Sequence, residues 1–333
     1  MPTPPSWPAP GAVPIGLIGG VGRSGTTALR DALGRHPDVL AAPELRFAVD
    51  PDGLVDTYRS FQAGWSPFHA DVRIRRLEGL LDAVADDSAI AFPGRVARRV
   101  GLDEALGRTA VPAYHGHRAL AVCPTFRQHA RALVDALTAY RYAGAWTGTP
   151  GGARAEVRVG GPYDDGELAA ALGGFWRAVA ADSVAHAGRR FFLDKQTWSI
   201  LWADAILDLL PSARLVHVVR DPRDVAASTM TMRWGPSDPA TAARWVRSLL
   251  ARWAEVRARV PPDRVLEVRL ERLADGGLRD AAEFLGIGWH AALAGADLGR
   301  VNAGRWRRDL GARDAEAVAE ILAPAAEAYG YDG

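Results

Sequence analysis

The residues best equipped for chemistry lie near the start of the chain, in Gly19-Gly20-Val21-Gly22-Arg23-Ser24-Gly25-Thr26-Thr27. An apolar run, Val13-Pro14-Ile15-Gly16-Leu17-Ile18, comes before them, and Leu29 and Leu33 at helical spacing follow. Strand, glycine loop and helix in that order bring backbone amides and a helix N-terminus onto one anion. The amides of residues 24–27, the hydroxyls of Thr26 and Thr27 and the guanidinium of Arg23 together suit a phosphate-like group. The bland alternative is a tight glycine turn that holds nothing.

Gly20, Gly25 and Thr27 fall where the nucleotide-triphosphate loop G-x-x-x-x-G-K-[ST] has its two glycines and its hydroxyl. Thr26 stands where that loop has lysine, the side chain that reaches the β- and γ-phosphates of ATP. The strong cation here is Arg23, inside the loop.

Two further places offer matching chemistry. In Val218-Val219-Arg220-Asp221-Pro222-Arg223-Asp224 the arginine Arg220 ends a strongly apolar strand, where ligands bind in open α/β sheets. Ser228 lies seven residues after Asp221, two helical turns on, so it shares a side with the helix start. An arginine and a hydroxyl so placed suit a second phosphate; a surface ion pair beside an incidental serine is the alternative. Lys195, in Asp194-Lys195-Gln196-Thr197, also ends a strand, and taken alone reads as a surface lysine.

These residues need a scaffold of alternating strands and helices. Strands are expected over 13–18, 190–194, 214–219 and 264–270. Helices are expected over 72–85, 94–106, 126–142, 199–210, 240–260 and 315–329. A further helix carries Leu168, Leu172, Phe175, Trp176 and Val179, with Asp164 or Asp165 as N-cap. Asp221-Pro222 opens another, an N-cap acid with proline at N1. The pattern predicts an α/β fold, a P-loop-like parallel central sheet flanked by helices. From about 50 to 161 no internal strand is evident, and 144–165 reads as an exposed loop rich in turn residues. The domain plan is therefore a flexible tail at 1–11 and one domain over 12–333, with a largely helical insertion at about 50–188.

Composition narrows the function. The chain has 333 residues, 48% of them apolar, enough for a sizeable core. A formal net charge of +1 argues against a dedicated nucleic-acid binder. No run approaches the roughly 18 apolar residues of a membrane span. One cysteine, Cys123, leaves no internal disulfide, which suits a reducing cytoplasm. Tyr114-His115-Gly116-His117 lacks a third metal ligand in sequence and reads as a loop with incidental histidines. His36 reads as part of a helix stop and His217 as a strand-core residue.

Taken together, Arg23-Ser24-Gly25-Thr26-Thr27, Asp194-Lys195, and Arg220-Asp221-Pro222-Arg223 with Ser228 resemble the sulfotransferases that use 3′-phosphoadenosine 5′-phosphosulfate (PAPS). Val301-Asn302-Ala303-Gly304-Arg305-Trp306 and Tyr329-Gly330-Tyr331 are similar to the family's final segment. The resemblance covers about 12–47 and 190–333. It implies that Arg23, Ser24, Gly25, Thr26 and Thr27 hold the 5′-phosphosulfate, that Arg220 and Ser228 hold the 3′-phosphate, and that Arg23 and Lys195 stabilise the leaving phosphate. It implies PAPS as donor, 3′,5′-ADP as product and no metal.

Cytosolic members place a catalytic histidine where this chain has Thr197. The run Leu33-Gly34-Arg35-His36-Pro37-Asp38-Val39 followed by Pro43-Glu44 is closer to tyrosylprotein sulfotransferases and their bacterial relatives, which implies Glu44 as general base. The family's Tyr-Glu after the late strand is here Leu270-Glu271, and the resemblance implies Arg305, or Arg307 beyond it, in place of a family lysine near the closing tryptophan. The implied acceptor is a small molecule with a hydroxyl, such as a secondary metabolite or glycolipid. Its pocket is expected in the insertion, which carries Trp65, Phe68, Tyr114, Phe126, Tyr142 and Trp146. A P-loop kinase-like phosphotransferase and a non-catalytic nucleotide-binding protein are the competing readings.

Overall fold

The computed structural model describes residues 12–85, 118–146, 156–298 and 302–331. The tail at 1–11, the helix expected at 94–106 and Tyr114, His115 and His117 lie outside them. The chain forms two compact units: Met1–Ala42, Arg189–Leu207 and Pro211–Gly333 in the first, and Pro43–Gly188 with Asp208–Leu210 in the second.

The first unit is built on a five-stranded sheet. Its strands are β1 (Ile15–Gly19), β2 (Val39–Ala41), β5 (Phe191–Lys195), β6 (Arg214–Val219) and β7 (Val265–Arg269). They lie side by side in the order β2-β5-β1-β6-β7. Every pairing is parallel, as the alternation of apolar runs with helical periods requires. All five residues of β1 and of β5 are buried. Such continuous burial marks strands covered on both faces.

The period of two along β6 sorts the two layers. Val216 and Val218 join a core with Leu29 and Leu33 of the helix Thr26–Leu33 and Leu278 and Leu285 of the helix Leu278–Leu285. On the other face, His217 meets Trp253 of the helix Pro239–Arg257, ring centroids 4.8 Å apart. Val219 packs with Ala326 of the helix Ala312–Ala328 and with Tyr331. Leu29 and Leu33 are fully buried, and each contributes about 1.5–3 kcal/mol by leaving water. Among the described residues, β2 is an addition to the expected strands. Its run of three residues is too short to show a period.

The second unit is mainly helical: Leu54–Ala63, Pro67–Ala85, Phe126–Ala136 and Asp165–His186. Phe47 centres its core, touching Phe126, Phe175 and Trp176 at centroid distances of 6.0, 5.4 and 5.6 Å. Asp164 caps the last helix by accepting from the Glu167 amide, and Glu167 completes a capping box.

The strand-free reading of this segment is overturned. The helix expected over 126–142 stops at Ala136, and Tyr140–Ala143 is strand β3, paired antiparallel with strand β4 at Glu156–Val159. The 144–165 region is thus not all exposed loop: Val157 and Val159 are buried. Buried Asp71 holds β4 in place, accepting from the Arg158 amide (2.9 Å) and from Arg75 and Trp146 side chains. Burial raises its pKa, but those hydrogen bonds win and hold the carboxyl below its ordinary value.

Cys123, His129 and Asp182 of this unit present ligand atoms within 4.8 Å of one another. The Thr125 hydroxyl closes the group, donating to Asp182 (2.5 Å) and lying 3.2 Å from His129 Nε2 and 3.4 Å from Cys123 Sγ. His129 Nε2 and Asp182 Oδ2 lie 2.8 Å apart, so the group forms a hydrogen-bonded clamp between the helices Phe126–Ala136 and Asp165–His186.

Candidate functional site

β1 delivers the chain into the glycine loop, and the loop turns directly into the helix Thr26–Leu33. The turn uses left-handed backbone at Arg23 (φ 72°) and Gly25 (φ 99°). Gly25 is the helix N-cap, no side chain caps the helix and no acid sits in its first turn. The free amides of that turn and the positive end of the helix dipole therefore remain available to an anion. A Cβ at Gly25 would also stand 2.5 Å from Leu270 Cδ1, so glycine is required there twice over.

Above this loop is a cavity of about 300 Å³ lined by Gly22, Arg23, Gly25, Thr26, Thr27, Lys195, Thr197, Arg220, Trp234 and Leu270. Lys195 closes β5, and Arg220 directly follows β6, the strands on either side of β1. Three adjacent parallel strands thus bring three cations to one rim, and among the described residues the lining contains no acid.

Arg220, like Lys195, is a buried cation, 8% exposed against 7%. Its Nη1 donates to the Arg23 carbonyl (3.1 Å) and its Nη2 to the Asn302 carbonyl (2.8 Å). Its Nε has no partner among the described residues. Burial pushes the guanidinium below the ordinary arginine value, opposed by Asp224 and Glu271 and reinforced by Arg305 and Arg23. A desolvated cation with an idle N–H stands ready for an anion.

Arg23 in turn donates from Nε to Ser228 Oγ (3.1 Å). Ser228 lies in the helix Pro222–Thr229, which starts as expected: Asp221 accepts from the Arg223 amide at 2.9 Å, with proline at N1. Asp224, fully buried, accepts from the amides of Gly304 (2.8 Å) and Trp306 (3.0 Å) and lies 3.7 Å from Arg220. These contacts draw the C-terminal segment against the second motif.

The sequence matches the profile of the Sulfotransferase family over residues 14–291. The chain belongs to the sulfotransferase family. No curated protein matches it. Among solved structures it is similar to a sulfotransferase domain from the Synechococcus PCC 7002 olefin synthase, at 19% identity over 93% of this chain and 94% of that one, with a TM-score of 0.44. A sulfotransferase of Mycobacterium avium is similar at 14% identity, over 96% of this chain and 78% of that one, with a TM-score of 0.46.

Within this sulfotransferase the structure places Arg23, Gly25, Thr26, Thr27, Lys195 and Arg220 together around the cavity. Ser24 is fully buried with its hydroxyl unpartnered among the described residues. Ser228 is 1% exposed and reaches the loop through Arg23. Arg305 is not in the lining; its guanidinium is closed onto Asp309, Nη2 to Oδ2 2.6 Å. Glu44 is half-buried in the second unit, two residues beyond Ala42, whose amide donates to Leu193 of β5 (2.9 Å). His36 follows the first helix and its Nδ1 accepts from the Asp38 amide (3.1 Å), a local stop. His217 is buried in β6 beside Glu267 at 2.9 Å.

Trp234 is the lining residue that sequence reasoning passed over. It stands alone between Arg233 and Gly235, with no period or motif to mark it. Its tie to Gly22 is visible only in three dimensions. Of the aromatic residues expected to shape an acceptor pocket, Phe126 is core, whereas Trp65, Phe68 and Tyr142 are 44–45% exposed.

Proposed function

We propose that the chain transfers the sulfuryl group of PAPS to a hydroxyl of a small-molecule acceptor, with Glu44 as general base. The observation that carries this reading is the cavity in which Arg23, Thr26, Thr27, Lys195 and Arg220 converge on the N-terminus of one helix, with no acid among the described lining residues. Arg220 Nε, a buried donor with no partner among the described residues, fits an anionic nucleotide.

PAPS supplies an activated sulfuryl group on a phosphate that leaves readily. Arg23, Thr26, Thr27 and the loop amides hold the 5′ end, and Arg220 and Ser228 hold the 3′-phosphate. Arg23 and Lys195 take up the charge that collects on the 5′-phosphate oxygen as its bond to sulfur breaks. Donors preorganised for developing charge are typically worth about 2.7–4 kcal/mol each when removed singly. Glu44 receives the acceptor proton as the acceptor oxygen bonds to sulfur, a role worth about 10²–10⁴ in rate. What supports Glu44 is the resemblance of Pro43-Glu44, just after β2, to the corresponding stretch of the tyrosylprotein sulfotransferases and their bacterial relatives. We place the enzyme in the cytoplasm, a reducing compartment that suits its single cysteine.

The test pairs binding with turnover. Titration with 3′,5′-ADP should show saturable binding, and incubation with PAPS and an accepted hydroxyl compound should release 3′,5′-ADP. Glu44→Gln should bind 3′,5′-ADP as the wild type does and lose at least 10² in turnover. An active Glu44→Gln enzyme removes Glu44 from the mechanism. Thermal stabilisation by ATP with Mg²⁺ and none by 3′,5′-ADP would favour the kinase-like reading, against which Thr26 in the lysine position counts.

A further inference from the structure

The cavity has two unlike ends. Over Gly25 lies Leu270, and the next residue, Glu271, is close enough for its charge to act on Arg220. Over Gly22 lies Trp234: a Cβ at Gly22 would stand 2.9 Å from Trp234 Cη2 and 3.6 Å from Trp198 Cη2. Trp198 directly follows Thr197, and Thr197 and Lys195 both line the cavity. Leu270 thus walls the cavity over Gly25, and indole walls it over Gly22.

Trp234 is 54% exposed at the rim of a cationic cavity. It is nevertheless held firmly. Its ring meets Trp198 (6.1 Å, 79°) and Trp245 (5.8 Å, 52°), and those two meet each other at 5.5 Å. The turn that carries it is tied to the helix ending at Thr229: the Met232 amide donates to the Thr229 carbonyl (2.9 Å) and the Gly235 amide to the Met232 carbonyl (3.1 Å). A Cβ at Gly235 would stand 2.2 Å from the Thr229 carbonyl oxygen, so the turn closes only with glycine there. A large aromatic surface, fixed by its neighbours and left open beside the reacting groups, is a preorganised wall for a planar ligand.

We infer that Trp234 is the acceptor-side wall and that the acceptor is a phenol, its ring against Trp234 and its hydroxyl at Thr197 and Lys195; this rests on the donor reading above. The donor reading gives the 3′-phosphate to Arg220 and Ser228, which leaves Thr197 and the indole surface to the acceptor. The acidity of the two partners agrees. Threonine at 197 supplies no base, and a carboxylate is a weak one. A phenol, with a pKa near 10, asks far less of such a base than an alkyl alcohol does. In the transfer, the phenolic proton goes to the base, the phenolic oxygen bonds to sulfur, and the electron pair of the broken S–O bond stays on the 5′-phosphate.

The test uses 2-naphthol and its saturated counterpart 2-decalol, which share a skeleton and differ in aromaticity. With the full chain saturated by 3′,5′-ADP, 2-naphthol should bind at least tenfold more tightly than 2-decalol. Trp234→Ala should weaken 2-naphthol at least tenfold, Trp234→Phe should restore most of the loss, and affinity for 3′,5′-ADP should stay within twofold in both variants. With PAPS, the same pattern should appear in KM for 2-naphthol. Equal affinity for the two alcohols, binding of neither, or an unaffected Trp234→Ala variant overturns the inference while leaving the donor reading intact. A tenfold loss of 3′,5′-ADP affinity in Trp234→Ala also overturns it, since the indole then faces the donor. Failure of the wild type to bind 3′,5′-ADP at all fells the donor reading first, and this inference with it.

Discussion

Arg23 Nε donates to Ser228 Oγ across 3.1 Å, joining residues 205 positions apart. The Arg23 carbonyl also accepts from Arg220. The first anion motif is therefore fastened to the second at both its side chain and its backbone, and the left-handed Arg23 (φ 72°) is the residue the two share. A non-glycine residue in that region is held there by its surroundings. Ser228→Ala removes a hydrogen bond to a charged group, worth about 1.5–3 kcal/mol. It should weaken 3′,5′-ADP by roughly ten- to hundredfold in calorimetry. An unchanged affinity would show that Ser228 does not serve the nucleotide.

Gly25→Ala strains the loop in two ways, through its φ of 99° and through its contact with Leu270. The backbone strain alone costs on the order of 1–3 kcal/mol. Thermal denaturation should show a lower midpoint, and 3′,5′-ADP binding should be lost. Adding Leu270→Ala relieves the contact and leaves the φ problem, so the double variant should recover stability only in part. Complete recovery would place the whole cost in the clash.

Asp224→Ala leaves Arg220 buried without its carboxylate and frees the amides of Gly304 and Trp306. Breaking a buried pair from one side costs about 3–5 kcal/mol. Urea unfolding should report a loss of that size, and proteolysis should reach the C-terminal segment sooner than in the wild type. A loss below about 1 kcal/mol, the range of a surface pair, would contradict the burial seen here.

Alkaline pH should act on the same segment. Burial, with the hydrogen bond to Glu271, holds the Tyr331 phenol well above the usual tyrosine range, with Arg269 opposing. Burial and the charge of Glu267 do the same for Tyr329. A pKa raised by folding gives stability that is whole below the unfolded value, near 10, and declines as pH rises beyond it. The urea midpoint should hold steady up to about pH 10 and fall above it, and Tyr331→Phe should make that fall shallower. A midpoint just as steep in the variant would acquit Tyr331.

The site was more legible than the scaffold's smaller parts, for physical reasons. Arg220 and Lys195 sit at strand ends and Gly25 at a helix start, and apolar strands followed by glycine or an N-cap acid announce themselves along the chain. β3 carries no such mark: Tyr140, Arg141, Tyr142 and Ala143 are all exposed, so no alternation distinguishes them. β4 does alternate, with Val157 and Val159 inward, but four residues in a glycine-rich stretch give a weak period. Trp234 was invisible for another reason. Its partners, Gly22 and Trp198, come from other strands' loops, and no one-dimensional spacing encodes that meeting.

The strand order has a consequence for how the chain is made. β1 carries the phosphate loop, yet both its hydrogen-bonding neighbours, β5 and β6, arise only after residue 190. At about 5–20 residues per second, the ribosome leaves β1 without either partner for roughly ten to thirty seconds. An entirely apolar strand must be kept from pairing elsewhere during that time, so this chain's yield should depend on chaperone supply more than its final stability would indicate.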